Sequence, residues 1–280
     1  MSIRILADTA CDFDLAEYEK YNVEYVPLTL TLSDKVYKDC VDIDKDSFWE
    51  TIVRTEEFAK TSQPSPNEFL SIFEDVEKNK DHMVVILLSS NLSGTFQSAQ
   101  IAKDMIDYEH IYLVDSLSAT FAARLLIEEA ISMRNNDYSA IEIKNELDKL
   151  KSKLKLYAVL DTLEYLSKGG RISKSAASIG DLANLKPIIT LDAEGKIEVV
   201  DKAIGKSRAY AKLYKLIASE DIDTSKGYNF AYSYDKENVT KLMNKCKDIL
   251  TIDENRAYNL GPALGAHIGP NGFAIGFFRK

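Results

Sequence analysis

Hydroxyl-bearing residues cluster in two short segments, residues 61–66 (Thr-Ser-Gln-Pro-Ser-Pro) and residues 89–95 (Ser-Ser-Asn-Leu-Ser-Gly-Thr). Hydroxyls donate hydrogen bonds to carboxylates and phosphates, so both segments are candidates for binding an anion. Ser93 and Gly94 precede a predicted helix, and the free N–H groups and dipole at such a terminus favour negative charge. The residues alone favour a simpler alternative, in which Ser93 or Thr95 only caps the helix.

The helix after the first segment begins with its own capping residues, so Thr61 is not needed as a helix cap. Ser65 and Glu68 form a capping-box pair, and Pro66 occupies the first helical position. Thr61 and Ser62 therefore have no capping role to fill. This spacing favours a ligand-binding role for them slightly more than it does for Ser93.

Two further segments carry groups that could face an anion. Residues 168–171 (Lys-Gly-Gly-Arg) predict either a tight turn with solvated charges or a turn that directs Arg171 toward an anion. His267 lies among glycines between Gly261 and Gly272, which predicts a loop of unusual backbone geometry. A single histidine is more often structural than catalytic. The sequence contains neither a P-loop nor the Gly-x-Gly-x-x-Gly pattern of dinucleotide sites.

An enzymatic alternative combines Ser93, His267 and an aspartate, either Asp8 or Asp115, into a hydrolase triad. It requires Ser93 and His267 to lie within hydrogen-bond reach of each other. Ser93 lies in Asn-Leu-Ser-Gly-Thr rather than in the Gly-x-Ser-x-Gly nucleophile elbow. Such an enzyme would act on an acyl ester or a phosphoryl group, and this alternative stays open.

The sequence does not indicate a metal site. The two clusters of aspartates lack the glycine and the closing glutamate of an EF-hand, so we predict solvated loop charges at Asp8, Asp12, Asp14, Asp42, Asp44 and Asp46. The three cysteines are widely separated and form no Cys-x-x-Cys pattern. His82 and His110 border predicted strands among charged residues, which predicts that both face solvent.

Composition disfavours several classes of partner. The 280 residues carry a formal net charge of -9, which disfavours a nucleic-acid partner because phosphates require Lys and Arg. The hydrophobic share of 45% is typical of a globular protein with a substantial core. No stretch approaches the ~18–20 apolar residues that span a bilayer, and the N-terminus lacks the pattern of a signal peptide. We therefore predict a cytoplasmic location without a transmembrane segment.

An alternation of strands and helices positions these segments in the first half of the chain. Apolar runs at residues 3–7, 83–88 and 111–114 predict buried strands, each followed by polar residues. Helical spacing of apolar residues follows Pro66, between two of these runs. We predict a parallel α/β domain over residues 1–153, in which ligands bind at the carboxyl ends of the strands.

The second half of the chain shows a different order. Residues 187–191 and 197–200 predict a hairpin around a glycine-containing turn. Two helices and a terminal strand are predicted at residues 206–219, 235–250 and 273–278. We therefore predict an α+β domain with antiparallel pairing over residues 154–280.

Five segments of the chain resemble motifs of the DegV family and occur in the family's order. They are residues 5–12, 61–66, 88–99, 163–172 and 265–272. One such segment would be a weak signal, whereas five in register are specific. The resemblance implies a two-domain DegV-like α/β fold with a lipid tunnel between or beside the domains.

The resemblance also implies a function. A long-chain fatty acid such as palmitate would lie in the tunnel, its carboxylate held by the hydroxyls of Thr61 and Ser93. In bacteria with a fatty acid kinase, family members present this carboxyl group to the kinase for phosphorylation. The protein would then be a non-catalytic carrier with no cofactor besides its lipid. The residues expected near the head group or in kinase coupling are Ser62, Asn91, Gly94, Arg171 and His267.

Apolar helical faces are the candidates for the walls of such a tunnel. Phe121, Leu125 and Leu126 belong to one of them, although ordinary core packing is the better interpretation for any single one. Burial of a methylene group contributes ~0.8 kcal/mol, so the tail would supply most of the affinity and the head group mainly orientation.

Overall fold

Strands and helices alternate through the first half of the computed structural model, which describes residues 2–173 and 184–280. The strands are β1 (Ile3–Asp8), β2 (Glu24–Val26), β3 (Thr29–Leu32), β4 (Lys35–Lys38), β5 (Lys60–Ser62), β6 (His82–Leu87), β7 (Ile111–Asp115), β8 (Leu154–Val159), β9 (Leu185–Leu191), β10 (Ile197–Ile204), β11 (Tyr228–Tyr232), β12 (Ala257–Asn259) and β13 (Phe273–Phe278). The α-helices are α1 (Leu15–Tyr21), α2 (Lys45–Thr55), α3 (Pro66–Asn79), α4 (Thr95–Asp104), α5 (Thr120–Asn135), α6 (Ala140–Leu150), α7 (Glu164–Lys168), α8 (Lys206–Ala218), α9 (Lys236–Lys245) and α10 (Pro262–Ile268).

The first sheet is parallel throughout, with the strand order β2-β1-β6-β7. Helices α1, α5 and α6 pack on one face, and α3 and α4 pack on the other. Because both faces are covered, every residue of β6 from Met83 to Leu87 is apolar and at most 1% exposed. The predicted parallel sheet is confirmed, and so is the capping box of Ser65 and Glu68 that begins α3.

The second sheet has the order β10-β9-β8-β13-β11-β12 and is antiparallel except for the pair β11–β12. Helices α8 and α9 cover one of its faces. The other face turns toward Phe121 and Ala122 at the start of α5. The predicted hairpin is confirmed by β9 and β10, whose turn contains Gly195 at φ 79°. This arrangement confirms the predicted fold class of one parallel and one antiparallel sheet.

One predicted helix is too long. Helix α9 ends at Lys245 rather than at Leu250, and Cys246–Leu250 continue as turns. Ile249 and Leu250 still pack in the core beneath the second sheet, so their apolar positions prolong the helical pattern in the sequence.

A third, three-stranded antiparallel sheet of order β4-β3-β5 was not predicted. Its strands are three or four residues long, so they lack the apolar runs that mark the other strands. Leu30 and Leu32 of β3 are buried in the same core as α2 and the inner face of the second sheet. This small sheet carries Thr61 on β5.

The glycine-rich segment around His267, predicted as a loop, contains the helix α10. Pro262 occupies its first turn, and Gly269 at φ 73° ends it. Gly265 lies against the rings of Phe48 and Trp49 of α2, where a Cβ atom would come within 2.6 Å of Phe48. The glycines of this segment therefore allow close helix packing rather than an irregular loop.

Helix α5 contacts both large sheets. Its Arg124 is 2% exposed, pairs with Glu17 at 2.6 Å, and lies over the rings of Phe13 and Tyr258. The second sheet begins with β8 at Leu154, but the division into domains at that point stays a prediction. None of the helices in residues 2–173 and 184–280 is long and apolar enough to cross a membrane.

Candidate functional site

An apolar cavity lies between the inner face of the second sheet, the start of α5, helix α10 and the loop after β6. Its volume is about 80 Å³. The cavity is therefore narrow. Its apolar lining includes Leu28, Leu88, Leu92, Phe121, Leu156, Leu160, Ile189, Leu191, Leu260 and Leu264.

Three alanines form one wall of the cavity. Ala158 of β8 pairs with Ala274 of β13, which in turn pairs with Ala231 of β11. Side chains in register across adjacent strands lie on the same face of a sheet, so the three small residues form a row. Their small size leaves room between this sheet and α5. Of the wall residues predicted on α5, Phe121 lines the cavity, whereas Leu125 and Leu126 pack in the core of the first sheet.

One end of the cavity is polar and opens to the surface. Thr61, Arg171 and His267 line both the cavity and an adjoining surface groove. The groove also includes two lysines and two aromatic side chains, namely Lys60, Lys168, Phe58 and Tyr165. Ser93 lines the cavity as well. The cavity thus combines an apolar interior with hydroxyl and cationic groups at its mouth.

Thr61 is the middle residue of β5. Side chains of a strand point alternately to its two faces, and the face that carries Thr61 is the one that lines the cavity. Its Oγ1 atom lies 2.7 Å from Nε2 of His267. The neighbouring Ser62 is exposed and is absent from the cavity lining, since its side chain points to the other face. Thr61 therefore lines the cavity and Ser62 lies away from it, while a ligand-binding role for Thr61 stays a prediction.

Ser93 lies just before the N-terminus of α4. The N-cap residue is Gly94, so no side chain caps this helix at that position. Ser93 Oγ lies 2.9 Å from Oγ1 of Thr95 and accepts only a long hydrogen bond of 3.4 Å from the N–H of Thr95. A Cβ atom on Gly94 would lie 2.1 Å from Oε1 of Gln63, so the two hydroxyl segments of the sequence meet here.

Asn91, predicted near the head-group end, has a different role. Its side chain is exposed and donates to the carbonyl of Glu194 at 2.7 Å, in the turn between β9 and β10. It therefore joins the loop after β6 to the second sheet and does not line the cavity.

Arg171 follows the turn after α7, where Gly170 has φ 73°. Its Nε donates to the carbonyl of Leu92 at 3.1 Å, which holds the guanidinium beside Ser93's loop. Within the part of the chain that the structure describes, Arg171 forms no ion pair with a carboxylate. The guanidinium is half-buried at the mouth of the cavity, and burial lowers its pKa from the usual value.

His267 is 8% exposed, and burial lowers its pKa to about 4, with a further contribution from the charge of Arg171. The imidazole is therefore neutral at pH 7. Its Nδ1 atom is buried and has no hydrogen-bond partner among the described residues. Gly169 makes room for the ring, because a Cβ atom at that position would lie 2.1 Å from Nδ1.

The aspartates considered for a triad have other partners. Asp8 accepts from the N–H of Leu88 at 2.8 Å, and Asp115 accepts from the N–H of Ser90 at 3.2 Å. A triad needs a carboxylate on the second nitrogen of the histidine, and the described residues place none on Nδ1 of His267. The described residues thus do not assemble the Ser–His–Asp arrangement.

Buried carboxylates hold the first turn of α10, and sequence reasoning missed this. Asp12 accepts from the N–H of Gly261 at 2.7 Å, and Asp39 accepts from the N–H of Ala263 at 3.1 Å. Burial raises the pKa of Asp12 to about 7 and that of Asp39 to about 6. The prediction of solvated charges is therefore wrong for Asp8 and Asp12, which are at most 2% exposed. Four other aspartates of the two clusters are exposed, namely Asp14, Asp42, Asp44 and Asp46.

The sequence predicted that His82 and His110 both face solvent, and this prediction is wrong. Their rings stack at a centroid distance of 4.1 Å, and Nδ1 of His110 is buried without a partner in the described structure. His82 is the first residue of β6 and His110 directly precedes β7. The two strands are parallel neighbours, which brings the two rings together. Residues 2–173 and 184–280 contain no group of three or more His, Cys, Asp or Glu side chains that could hold a metal ion.

The sequence of the chain matches a known protein family. The model of the uncharacterised DegV family matches residues 2–280. The chain belongs to the DegV family. A DegV domain-containing protein of Caldanaerobacter subterraneus is 32% identical over 279 residues, covering 99% of both chains. One of Staphylococcus aureus is 33% identical over 277 residues, covering 99% of this chain and 98% of the other.

Solved structures of DegV proteins share the fold over the whole chain. A fatty-acid-binding DegV protein of Thermus thermophilus has a TM-score of 0.87 at 26% identity, with 100% of both chains covered. DegV of Bacillus subtilis, described as a fatty acid binding protein, has a TM-score of 0.84 at 27% identity and the same coverage. A stearic acid-binding protein of Eubacterium ventriosum has a TM-score of 0.86 at 25% identity, covering 100% of this chain and 99% of the other.

Proposed function

We propose that this DegV protein binds a long-chain fatty acid in the cavity, with the carboxylate at Thr61 and Ser93. The observation that carries the proposal is the narrow apolar cavity that ends in hydroxyl donors at its open mouth. An alkyl chain fits a narrow apolar space, and a carboxylate needs donors where the chain meets water. The similarity to DegV proteins described as fatty acid binding supports the same assignment.

The pair of Thr61 and His267 gives the carboxylate a directed donor. A hydroxyl carries one proton, so Thr61 can donate to the ligand only if it accepts from His267. His267 is neutral because burial lowers its pKa to about 4, and its Nε2 atom lies 2.7 Å from Thr61 Oγ1. We infer the tautomer with the proton on Nε2, so that Nδ1, which has no hydrogen-bond partner among the described residues, carries no proton. Thr61 then donates to one carboxylate oxygen and Ser93 donates to the other.

Purified protein should release a long-chain fatty acid on organic extraction, and Ser93→Ala should retain most of it. The tail supplies ~0.8 kcal/mol per buried methylene, whereas one hydrogen bond to a charged group contributes ~1.5–3 kcal/mol. Fatty-acid affinity measured by titration should therefore fall about 10- to 100-fold in Ser93→Ala, with copurification still detectable.

The matched control is Ser62→Ala, because Ser62 is exposed on the opposite face of β5 and should leave affinity unchanged. Repeated absence of lipid from the purified protein, with no binding on titration, would count decisively against the carrier function. Turnover of acyl esters or acyl phosphates by the pure protein would instead favour the enzyme acting through Ser93 and His267.

We propose further that the protein presents the bound carboxyl group to a cytoplasmic fatty acid kinase and is not itself a catalyst. The groove supports this role because it opens the carboxylate end to solvent, and Arg171 and Lys168 line it. Among the residues that the structure describes, Arg171 pairs with no carboxylate, and its positive charge suits the additional negative charge of an acyl phosphate.

Arg171→Ala tests this presentation role. With a fatty acid kinase and ATP, lipid-loaded wild type should yield acyl phosphate, and Arg171→Ala should yield at least tenfold less while it binds the same lipid. Lipid loading measured in parallel separates the two effects, with Lys103→Ala in the last turn of α4, at the opposite end of that helix from Ser93, as the charge-matched control. Loss of lipid from Arg171→Ala, or full acyl-phosphate formation by it, would contradict the assigned role.

A further inference from the structure

A second polar position lies inside the cavity, at Thr120. This residue is 6% exposed and contributes to the cavity lining. Its Oγ1 atom is buried and has no hydrogen-bond partner in the part of the chain that the structure describes. A buried hydroxyl without a partner is unfavourable, so a group inside the cavity that pairs with it would bind more tightly.

Thr120 begins α5, a helix of 16 residues. The preceding N-cap residue, Ala119, has no polar side chain, and no side chain caps this terminus. The first N–H groups of a helix have no carbonyl partner within the helix, so they add donors beside the Thr120 hydroxyl. Ala119, Thr120 and Phe121 all line the cavity, which places this helix terminus at its wall.

The backbone of Thr120 has φ 58°, a left-handed conformation that β-branched residues rarely adopt. Glycine would relieve this cost but would remove the hydroxyl. The chain therefore has a hydroxyl at a position where the backbone alone favours glycine.

Thr120 lines the cavity and not the surface groove at its mouth, so in the proposed binding mode it lies beside the alkyl chain rather than the carboxylate. Thr61, Arg171 and His267 at the mouth line both the cavity and the surface groove, and Ser93 is tied to this end because Arg171 donates to the carbonyl of the adjacent Leu92, whereas Thr120 lines only the cavity. An unsubstituted alkyl chain has no atom that can pair with a hydroxyl or an N–H group. An oxygen carried on the chain can pair with both.

We propose that Thr120 and the first turn of α5 form a second polar subsite that favours long-chain fatty acids carrying a hydroxyl or oxo group along the chain. This inference rests on the proposed fatty-acid binding. The ligand oxygen accepts from Thr120 or from the helix N–H groups, and the mouth residues hold the carboxylate as before. The subsite thus selects the carbon of the acyl chain at which a hydroxyl or oxo group is accepted.

The test is a competition between octadecanoic acid and its monohydroxy positional isomers. Delipidated protein is incubated with an equimolar mixture in excess, and the bound acids are extracted and quantified. A hydroxyl that enters an apolar cavity without a partner disfavours binding, so every isomer should otherwise be depleted. We expect at least one isomer to be enriched about fivefold over octadecanoic acid, as one added hydrogen bond provides.

Thr120→Val keeps the branched shape and removes the hydroxyl, so it should lose this enrichment while it still binds octadecanoic acid. Thr120→Ser keeps the hydroxyl and should retain the enrichment, which controls for effects of substitution on folding. Depletion of every isomer in wild type, or equal enrichment in Thr120→Val, would overturn the subsite. Failure of octadecanoic acid itself to bind wild type would instead overturn the proposed function, and the subsite with it.

Discussion

Replacing Ala158 with leucine is expected to abolish lipid copurification. Ala158 is 7% exposed and is the first of the three alanines that form a row across β8, β13 and β11. The cavity between this row and α5 is narrow, so an isobutyl group there occupies the path of an alkyl chain. If about six methylenes lose their site, the loss is about 5 kcal/mol, or more than a thousandfold in affinity. Native mass spectrometry of the purified variant measures this directly.

The control for overpacking is Ala102→Leu. Ala102 of α4 is fully buried in the core of the first sheet, far from the cavity lining, so leucine adds the same volume there. Both variants should lose stability by ~1–3 kcal/mol, but only Ala158→Leu should be free of lipid. A full complement of fatty acid in Ala158→Leu would show that the chain does not pass this row of alanines.

Replacing Gly265 with alanine is expected to destabilise the protein by about 3 kcal/mol or more. The added Cβ would lie 2.6 Å from Phe48 and 2.8 Å from Trp49, two buried rings that have no space to move. Alanine is favoured over glycine in a helix by ~1 kcal/mol, so a net loss would show that packing outweighs helix propensity. Separation of α10 from α2 would also carry His267 away from Thr61. Thermal unfolding should show a decrease in Tm of roughly 6–12 °C.

Gly94→Ala is the matched control, because its Cβ would meet only the end of the Gln63 side chain. Gln63 is exposed, so its side chain can rotate away at the cost of its 3.2 Å hydrogen bond to Ser98, which water can replace. A Tm for Gly265→Ala equal to that of wild type would mean that α10 is free to move, and the close packing of α10 on α2 would then not hold His267 in place.

Local sequence signals predicted the elements that local physics controls. The apolar runs of β6 and β13 and the capping box before α3 appear in the structure where the sequence predicts them. The third sheet and helix α10 were missed or misread, because short strands and glycine-rich helices depend on neighbours for their stability. Gly265 is an example, since its role is the approach of two aromatic rings that lie over 200 residues earlier in the sequence.

At the candidate site, too, the sequence predicted features of single segments but not the contacts between distant segments. From the residues alone, Thr61 had no capping role to fill, whereas helix capping was the favoured role for Ser93. The resemblance of five segments to DegV proteins is what gave both hydroxyls a ligand. No pattern in the chain predicted the contact between Thr61 and His267, the row of alanines or the buried hydroxyl of Thr120, which has no hydrogen-bond partner among the described residues. The sequence also did not predict that Asp12 and Asp39 are buried against the start of α10, because a carboxylate in a loop is usually solvated.

The sequence by itself determined the parallel and antiparallel sheets and the polar strand ends, because these depend on residue type and on periodicity within one segment. Only the tertiary structure decided which of these groups meet. Thr61 and His267 are separated by 206 residues and come together through a three-stranded sheet and a helix that pack on the same core. The cavity likewise arises from small side chains on three strands that pair across the sheet, since an empty space is a property of packing and not of any one segment.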